Sequence, residues 1–400
     1  MLIKNCKLVL ENEQEVIRDI EITSGIITAI GEKLEAKNGE EIIDAEGNYV
    51  LPGIIDVHTH MRDPGLCHKE DFTTGSMACA KGGVTTFIDM PNTVPNTTTE
   101  KILEEKRNNS LLMSYSDYGF HFGGSRNDNS QEIEKVKDGV ASTKIFLNMS
   151  TGDMLVEEEK VLENLFRSSK IISVHGEEEM VDRAIDLCRK YKKPLYLCHL
   201  SKESEVESLR KAKEEGLEVY GEVAPHHLFF NEMDKSQLMR MKPELKSKKD
   251  NEALWKGLMD GTIDTIGTDH APHRLEEKME KVTFGIPGVE HSLEMMLRGV
   301  EEKKLTMRRL IEVMSINPGK IFKIKGKGNI QVGNDGDLVI VDLNQKRIIE
   351  RDEVISKCGW SPYEGQKTGG TVRTTILRGQ VVYNHGEFYK KIGREVQYNG

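Results

Sequence analysis

Residues 56–65, DVHTHMRDPG, follow directly on an apolar run, Tyr49-Val50-Leu51-Pro52-Gly53-Ile54-Ile55. Such a run, ending in alternating polar residues, reads as a buried strand. Strand side chains alternate faces with a period of two, so His58 and His60 project from one side and bring two imidazoles to a common point. That geometry suits one metal ion. Arg62 continues the same parity and sets a guanidinium beside the histidines, where an anionic group of a substrate would meet it. A buried strand with two hydrogen-bonded histidines is the competing reading of an isolated His-x-His, and the rest of the chain decides between them.

The 400 residues exceed the usual size of a single core, which leaves two domains or one large α/β barrel with an appendage. No run approaches the roughly 20 apolar residues of a membrane span, and the opening MLIKNCKLVL is too short and too polar for a secretory signal. A cytoplasmic protein without membrane association is expected. The formal charge of −10, with no basic stripe carrying interleaved aromatics, argues against nucleic acid as a partner. The six cysteines (Cys6, Cys67, Cys79, Cys188, Cys198 and Cys358) lack CxxC pairing and fit reduced thiols, so a metal here would rely mainly on His and carboxylate.

Residues 1–52 alternate apolar and polar positions between glycine breaks, and the same texture returns within 326–400, at 336–342 and 372–383. The two ends are expected to pair into one small, discontinuous β-sandwich. From 53 to 325, short apolar runs alternate with charged segments of helical period, the pattern of βα units around a parallel sheet. The candidate strands are 53–60, 85–90, 118–121, 142–147, 171–175, 195–199, 218–222 and 262–268. Eight such runs predict a (β/α)8 barrel, in which catalytic groups gather at the C-terminal ends of the strands. His58 and His60, His175, His199, and Asp269 with His270 and His273 all fall at such ends.

Four motifs, DVHTHMRDPG, DMPNT at 89–93, TDHAPH at 268–273 and FGIPGVE at 284–290, carry a resemblance across essentially the whole chain. The chain resembles the amidohydrolase superfamily, and within it the dihydroorotases of the long, CAD-like type. The resemblance implies reversible cyclisation of N-carbamoyl-L-aspartate to L-dihydroorotate in de novo pyrimidine (UMP) biosynthesis. It assigns His58 and His60 to one divalent ion and His175 and His199 to a second, with zinc expected at both. Asp269 would complete the first site and act as the catalytic acid and base. Lys144, in STKIFLNMST, would bridge the ions as a carbamylated lysine; some relatives use an aspartate instead, and Asp153 is the nearby rival.

For the substrate's ring carboxylate the resemblance points to Arg62, Asn92 and His273. His60 would also touch substrate, and Phe284 and Gly285 would offer backbone groups to the ring edge. Lys242, where relatives carry Arg or Asn, could meet a carboxylate as a point charge. The glycine-terminated stretch 148–152 reads as a lid, with Ser150 and Thr151 as its candidate hydroxyls.

His226 and His227 read as packing residues, while Cys198, Glu222 and His227 leave an additional soft metal site open. Hydantoinases, dihydropyrimidinases and allantoinases share the barrel and the ligand pattern, but their substrates lack the ring carboxylate, so Arg62 is the discriminating residue. A catalytically silent scaffold packing on aspartate transcarbamoylase would be expected to lose ligands, and here every expected position is filled. A homo-oligomer, or an active enzyme bound to that transcarbamoylase, remains compatible with the sequence.

Overall fold

The structure, a computed structural model, describes residues 1–149 and 153–399. Its centre is a parallel barrel of eight strands: Ile54–Thr59, Val84–Asp89, Asp117–Phe120 continued by Phe122–Gly123, Thr143–Phe146, Ile172–His175, Leu195–Leu197, Val219–Val223 and Thr265–Ile266. The ring closes where Thr59 pairs in parallel with His270 and the His60 N–H donates to the His270 carbonyl at 2.7 Å. Helices cover the outside with amphipathic faces; Glu159–Ser168, for instance, buries Val161, Leu162, Leu165 and Phe166 along one stripe.

Two barrel strands depart from the sequence reading for visible reasons. The third breaks at His121, whose ring spans the interior between Ser142 Oγ at 2.7 Å and the Val57 carbonyl at 2.8 Å. This strand-end histidine is a structural brace. The eighth, expected over 262–268, shortens to Thr265–Ile266 because Thr268 leaves the ladder. Its N–H and hydroxyl donate instead to the buried Asp56 carboxylate, at 3.1 and 2.5 Å, and tie the last strand to the first.

The chain ends share one nine-stranded sheet, joined where Leu338–Asp342 runs antiparallel to Tyr49–Pro52. Period-two alternation splits its residues between two cores. Val339 and Val341 face the barrel with Leu51 and Val372, whereas Leu338 and Ile340 join Ile3, Ile20, Ile27 and Ile376 in a core of their own. Not all of the C-terminal segment lies in this sheet. Between Asp342 and Thr371 the chain crosses to the barrel and buries Trp360 and Tyr363 against Phe230, Met241, Leu245 and Ile286. The last residues pack back on the start of the third barrel strand, with the Val396 N–H donating to the Tyr118 carbonyl at 2.7 Å.

Barrel and sheet are also locked by a buried charge cluster. Lys327 Nζ lies 2.8 Å from Asp117 Oδ2 and 3.0 Å from Asp335 Oδ2, and it also pairs with Asp337. These three carboxylates have the spacing of a cation site, and the lysine ammonium fills it. Removing one partner of a buried ionic group leaves the others unpaired, so Lys327→Met is expected to destabilise the protein by about 3–5 kcal/mol. A urea midpoint equal to that of the unsubstituted protein would show that the cluster is not a lock.

Candidate metal centre

The strand ends deliver their side chains to one cavity, lined by His58, His60, Lys144, His175, His199 and Asp269 among others. All six are buried. The backbone bends to achieve this: His199 and Asp269, each just past the end of its strand, adopt φ values of 36° and 47°, and Arg62 adopts 62°. Left-handed backbone at non-glycine residues is costly, and it concentrates where a site dictates side-chain direction.

The hydrogen bonds fix which imidazole nitrogens face the cavity. His58 Nδ1 lies 2.6 Å from Glu222 Oε1, and His60 Nδ1 lies 2.8 Å from Asn92 Oδ1. Both partners are acceptors, so each ring carries its proton on Nδ1 and turns an Nε2 lone pair inward. Those two Nε2 atoms stand 3.3 and 3.0 Å from the same oxygen, Asp269 Oδ1. Three electron-rich atoms converging in a buried space require a positive charge among them, and a divalent cation fits that donor set.

The electrostatics carry the same demand. Burial disfavours a proton on His58, yet the carboxylate of Glu222, helped by Asp269, outweighs it and carries the pKa up to about 10, so a second proton on Nε2 and a metal ion compete for the same position beside Asp269. His60, by contrast, is pulled down to about 4 by burial. Burial also opposes ionisation of Asp269, but the charge of His58 above all holds its carboxyl well below the usual carboxylate range.

A second group lies alongside. His175 Nδ1 is 2.8 Å from His199 Nε2, leaving His175 Nε2 and His199 Nδ1 buried without hydrogen-bond partners among the described residues. Burial holds both rings neutral, His175 down to about 3, and neutral imidazole is the form that ligates metals. Lys144 reaches in between, fully buried, with its Nζ 2.8 Å from Cys198 Sγ and 5.2 Å from the Phe146 ring centre.

On the rim, Arg62 Nε donates to the Pro272 carbonyl at 3.2 Å, and its Nη2 lies 3.2 Å from His273 Nε2. Gly285 closes over this guanidinium with φ of 128°; a Cβ there would fall 2.5 Å from the Ala271 carbonyl, so only glycine fits. Lys278, fully buried, donates to the carbonyls of Arg240, Thr283 and Gly285 and fixes the loop that carries Phe284. Lys242 Nζ sits 5.2 Å from the Phe284 ring centre and 3.4 Å from Glu244, and all of Lys242, Phe284 and Gly285 line the cavity.

Several expectations change. Asp153 is exposed and paired with Arg126, away from the cavity, so it does not compete with Lys144. His227 does not join Cys198 and Glu222: its Nε2 lies 3.1 Å from the Pro243 carbonyl, and His58 completes that group instead. His226 packs beside His227, with ring centres 4.3 Å apart and the planes tilted by 58°, deep in the packing. Ser150 and Thr151 lie outside the described residues. Glu222 turns out to orient the centre, accepting from His58, from the Tyr196 hydroxyl at 2.8 Å and from the His199 N–H at 2.9 Å. Its signal in the sequence was a carboxylate at the end of an apolar strand, a position that demands partners. Asp56, which holds Thr268 and hence the turn into Asp269, stood inside the opening motif unassigned.

Comparison with known proteins gives a consistent set of likenesses. The model of the amidohydrolase family matches residues 49–382. A dihydroorotase of Methanosphaera stadtmanae is 34% identical over 98% of this chain and 98% of its own length. One from Pyrococcus abyssi is 36% identical over 96% and 95%. The multifunctional protein CAD of Squalus acanthias is 33% identical over 95% of this chain, which spans 17% of that protein. Among solved structures, an L-hydantoinase (dihydropyrimidinase) from Arthrobacter aurescens superposes with a TM-score of 0.94 at 30% identity, covering 99% of both chains.

Proposed function

Because the chain belongs to the amidohydrolase family and has dihydroorotases among its full-length relatives, we propose that it is a dihydroorotase. The reaction is the reversible ring closure of N-carbamoyl-L-aspartate to L-dihydroorotate, a step of pyrimidine biosynthesis in the cytoplasm. One observation carries the choice of substrate. Arg62 is 3% exposed, and among the described residues no carboxylate lies within ion-pair distance of it. Burial pulls its pKa down to about 10, although the more distant charges of Asp269 and Asp89 work against it. A buried unpaired guanidinium is costly unless a ligand supplies the anion, and a ring carboxylate does so with bidentate geometry. The uncharged rings of hydantoin and dihydrouracil do not, which separates this reading from the hydantoinase whose fold it shares.

His58, His60 and Asp269 would hold one divalent ion and His175 and His199 a second, zinc in each case, with a carbamate on Lys144 between them. Bound there, such ions supply Lewis-acid polarisation of the amide carbonyl and a water that ionises near neutral pH. Asp269, placed against both inward-facing imidazole nitrogens, carries the proton. In hydrolysis it delivers the proton to the departing ring nitrogen, and in ring closure it removes one from the attacking ureido nitrogen. Arg62, Asn92, His273 and Lys242 bind and orient the substrate, with His60 beside it and the backbone of Phe284 and Gly285 against the ring edge. Small molecules are the partners this chemistry calls for; self-association, or association with aspartate transcarbamoylase, is compatible with it.

The test compares dihydroorotate, hydantoin, dihydrouracil and allantoin as substrates, alongside Arg62→Lys. Replacing the fork by a point charge is expected to raise KM for dihydroorotate about 10- to 100-fold, with kcat changed much less. Preference for an uncharged ring, or unaltered KM in the variant, overturns the assignment.

A further inference from the structure

The rim holds a lysine that neither the sequence motifs nor the proposed reaction uses. Lys69 Nζ lies 3.0 Å from His273 Nδ1, and its side chain, 12% exposed, is steadied by Glu277 at 3.6 Å. On the other side of the same ring, His273 Nε2 lies 3.1 Å from the Phe284 carbonyl oxygen. His273 is neutral, its pKa driven down to about 2 by burial and by the neighbouring charges of Arg62, Lys69 and Lys278. A neutral imidazole has a single N–H and a single acceptor nitrogen. An ammonium can only donate and a carbonyl oxygen can only accept, so the two contacts together leave one arrangement. Nδ1 accepts from Lys69, and Nε2 carries the proton.

That tautomer matters because of what stands beside it. Arg62 Nη2 is 3.2 Å from His273 Nε2, and both atoms are then donors. Neither satisfies the other: the His273 N–H goes to the Phe284 carbonyl, and the Arg62 Nη2 donor is left for an acceptor placed against it. With the opposite tautomer, Nε2 would accept from Arg62 and the pair would close on itself, leaving one donor fewer for an anion.

We infer that Lys69 is a positioning residue for substrate recognition: by donating to Nδ1 it fixes His273 as an Nε2–H donor to the Phe284 carbonyl, which keeps Nε2 from accepting from Arg62 and leaves that guanidinium free for the substrate's ring carboxylate. The inference rests on the dihydroorotase reading for the identity of the anion, but the tautomer itself does not. Lys69 reaches the substrate only through His273.

The experiment uses the metal-loaded full-length enzyme with 15N-labelled histidine, the His273 signals being assigned by their loss in His273→Gln. The expected spectrum shows a protonated Nε2 and an unprotonated Nδ1, and in Lys69→Met the two nitrogen shifts converge as both tautomers populate. In parallel, KM for dihydroorotate is expected to rise about tenfold in Lys69→Met, more than kcat falls, and to recover in Lys69→Arg, which keeps a charged donor. A protonated Nδ1 in the unsubstituted enzyme overturns the inference even if Lys69→Met fails to fold. So does an unchanged spectrum in Lys69→Met, or a loss confined to kcat. If dihydroorotate is not a substrate, the spectra still decide the Lys69–His273 pair, and only the nature of the anion falls.

Discussion

Asp269→Asn is expected to lower kcat for dihydroorotate by about 10³–10⁴-fold, because the substitution removes a proton carrier and a charged ligand at once. The side chain keeps its size and one oxygen, so the strained turn at φ of 47° and the contacts 3.0 and 3.3 Å from His60 and His58 are retained in outline. What disappears is the negative charge that the surrounding imidazoles stabilise so strongly in the native protein. The buried lone pairs of His58 and His60 would remain, and one ion should still bind, though more weakly. Measuring metal content beside kcat separates the two losses. A variant that holds its full complement of metal and stays within tenfold of the parent would remove Asp269 from proton transfer.

The convergence of these side chains was legible because it obeys short-range rules. His58 and His60 are two residues apart on one strand, and His175, His199 and Asp269 each close an apolar run, so period and position alone brought them to one end of a barrel. The residues that orient these ligands obey no such rule. Glu222 meets His58 across 164 positions and Asn92 meets His60 across 32, and no pattern along the chain pairs them. Asn92 is a substrate donor on the family resemblance; its oxygen also lies against His60 and fixes that ring's tautomer, a role the resemblance does not give.

The crossing between Asp342 and Thr371 was invisible for a different reason. It has little regular structure and therefore no period, yet it places Trp360 Nε1 2.8 Å from the His273 carbonyl and so braces the substrate rim from below. A strand texture at both flanks suggested a C-terminal segment wholly within the sheet. The apolar clue was Trp360 itself, one of two tryptophans in the chain and fully buried.

Lys144→Ala is expected to cost at least about 10³-fold in activity and to lower the bound metal from two ions per chain to one or fewer, since the loss of metal catalysis alone amounts to several kcal/mol. The argument starts from an anomaly. Lys144 Nζ is fully buried and touches Cys198 Sγ and the Phe146 ring, with no carboxylate in ion-pair distance among the described residues. An ammonium left unpaired in such a place carries a heavy desolvation cost. Reaction of the amine with CO2, releasing a proton, would replace this unpaired cation by an anionic carbamate, the group proposed above to lie between the two ions. Alanine leaves room where the arm was, so millimolar acetate or propionate should restore part of the activity and of the metal to Lys144→Ala. Lys144→Arg, which fills the space but cannot take up CO2, should show no such rescue. Two ions per chain and native turnover in Lys144→Ala would mean that the bridge lies elsewhere.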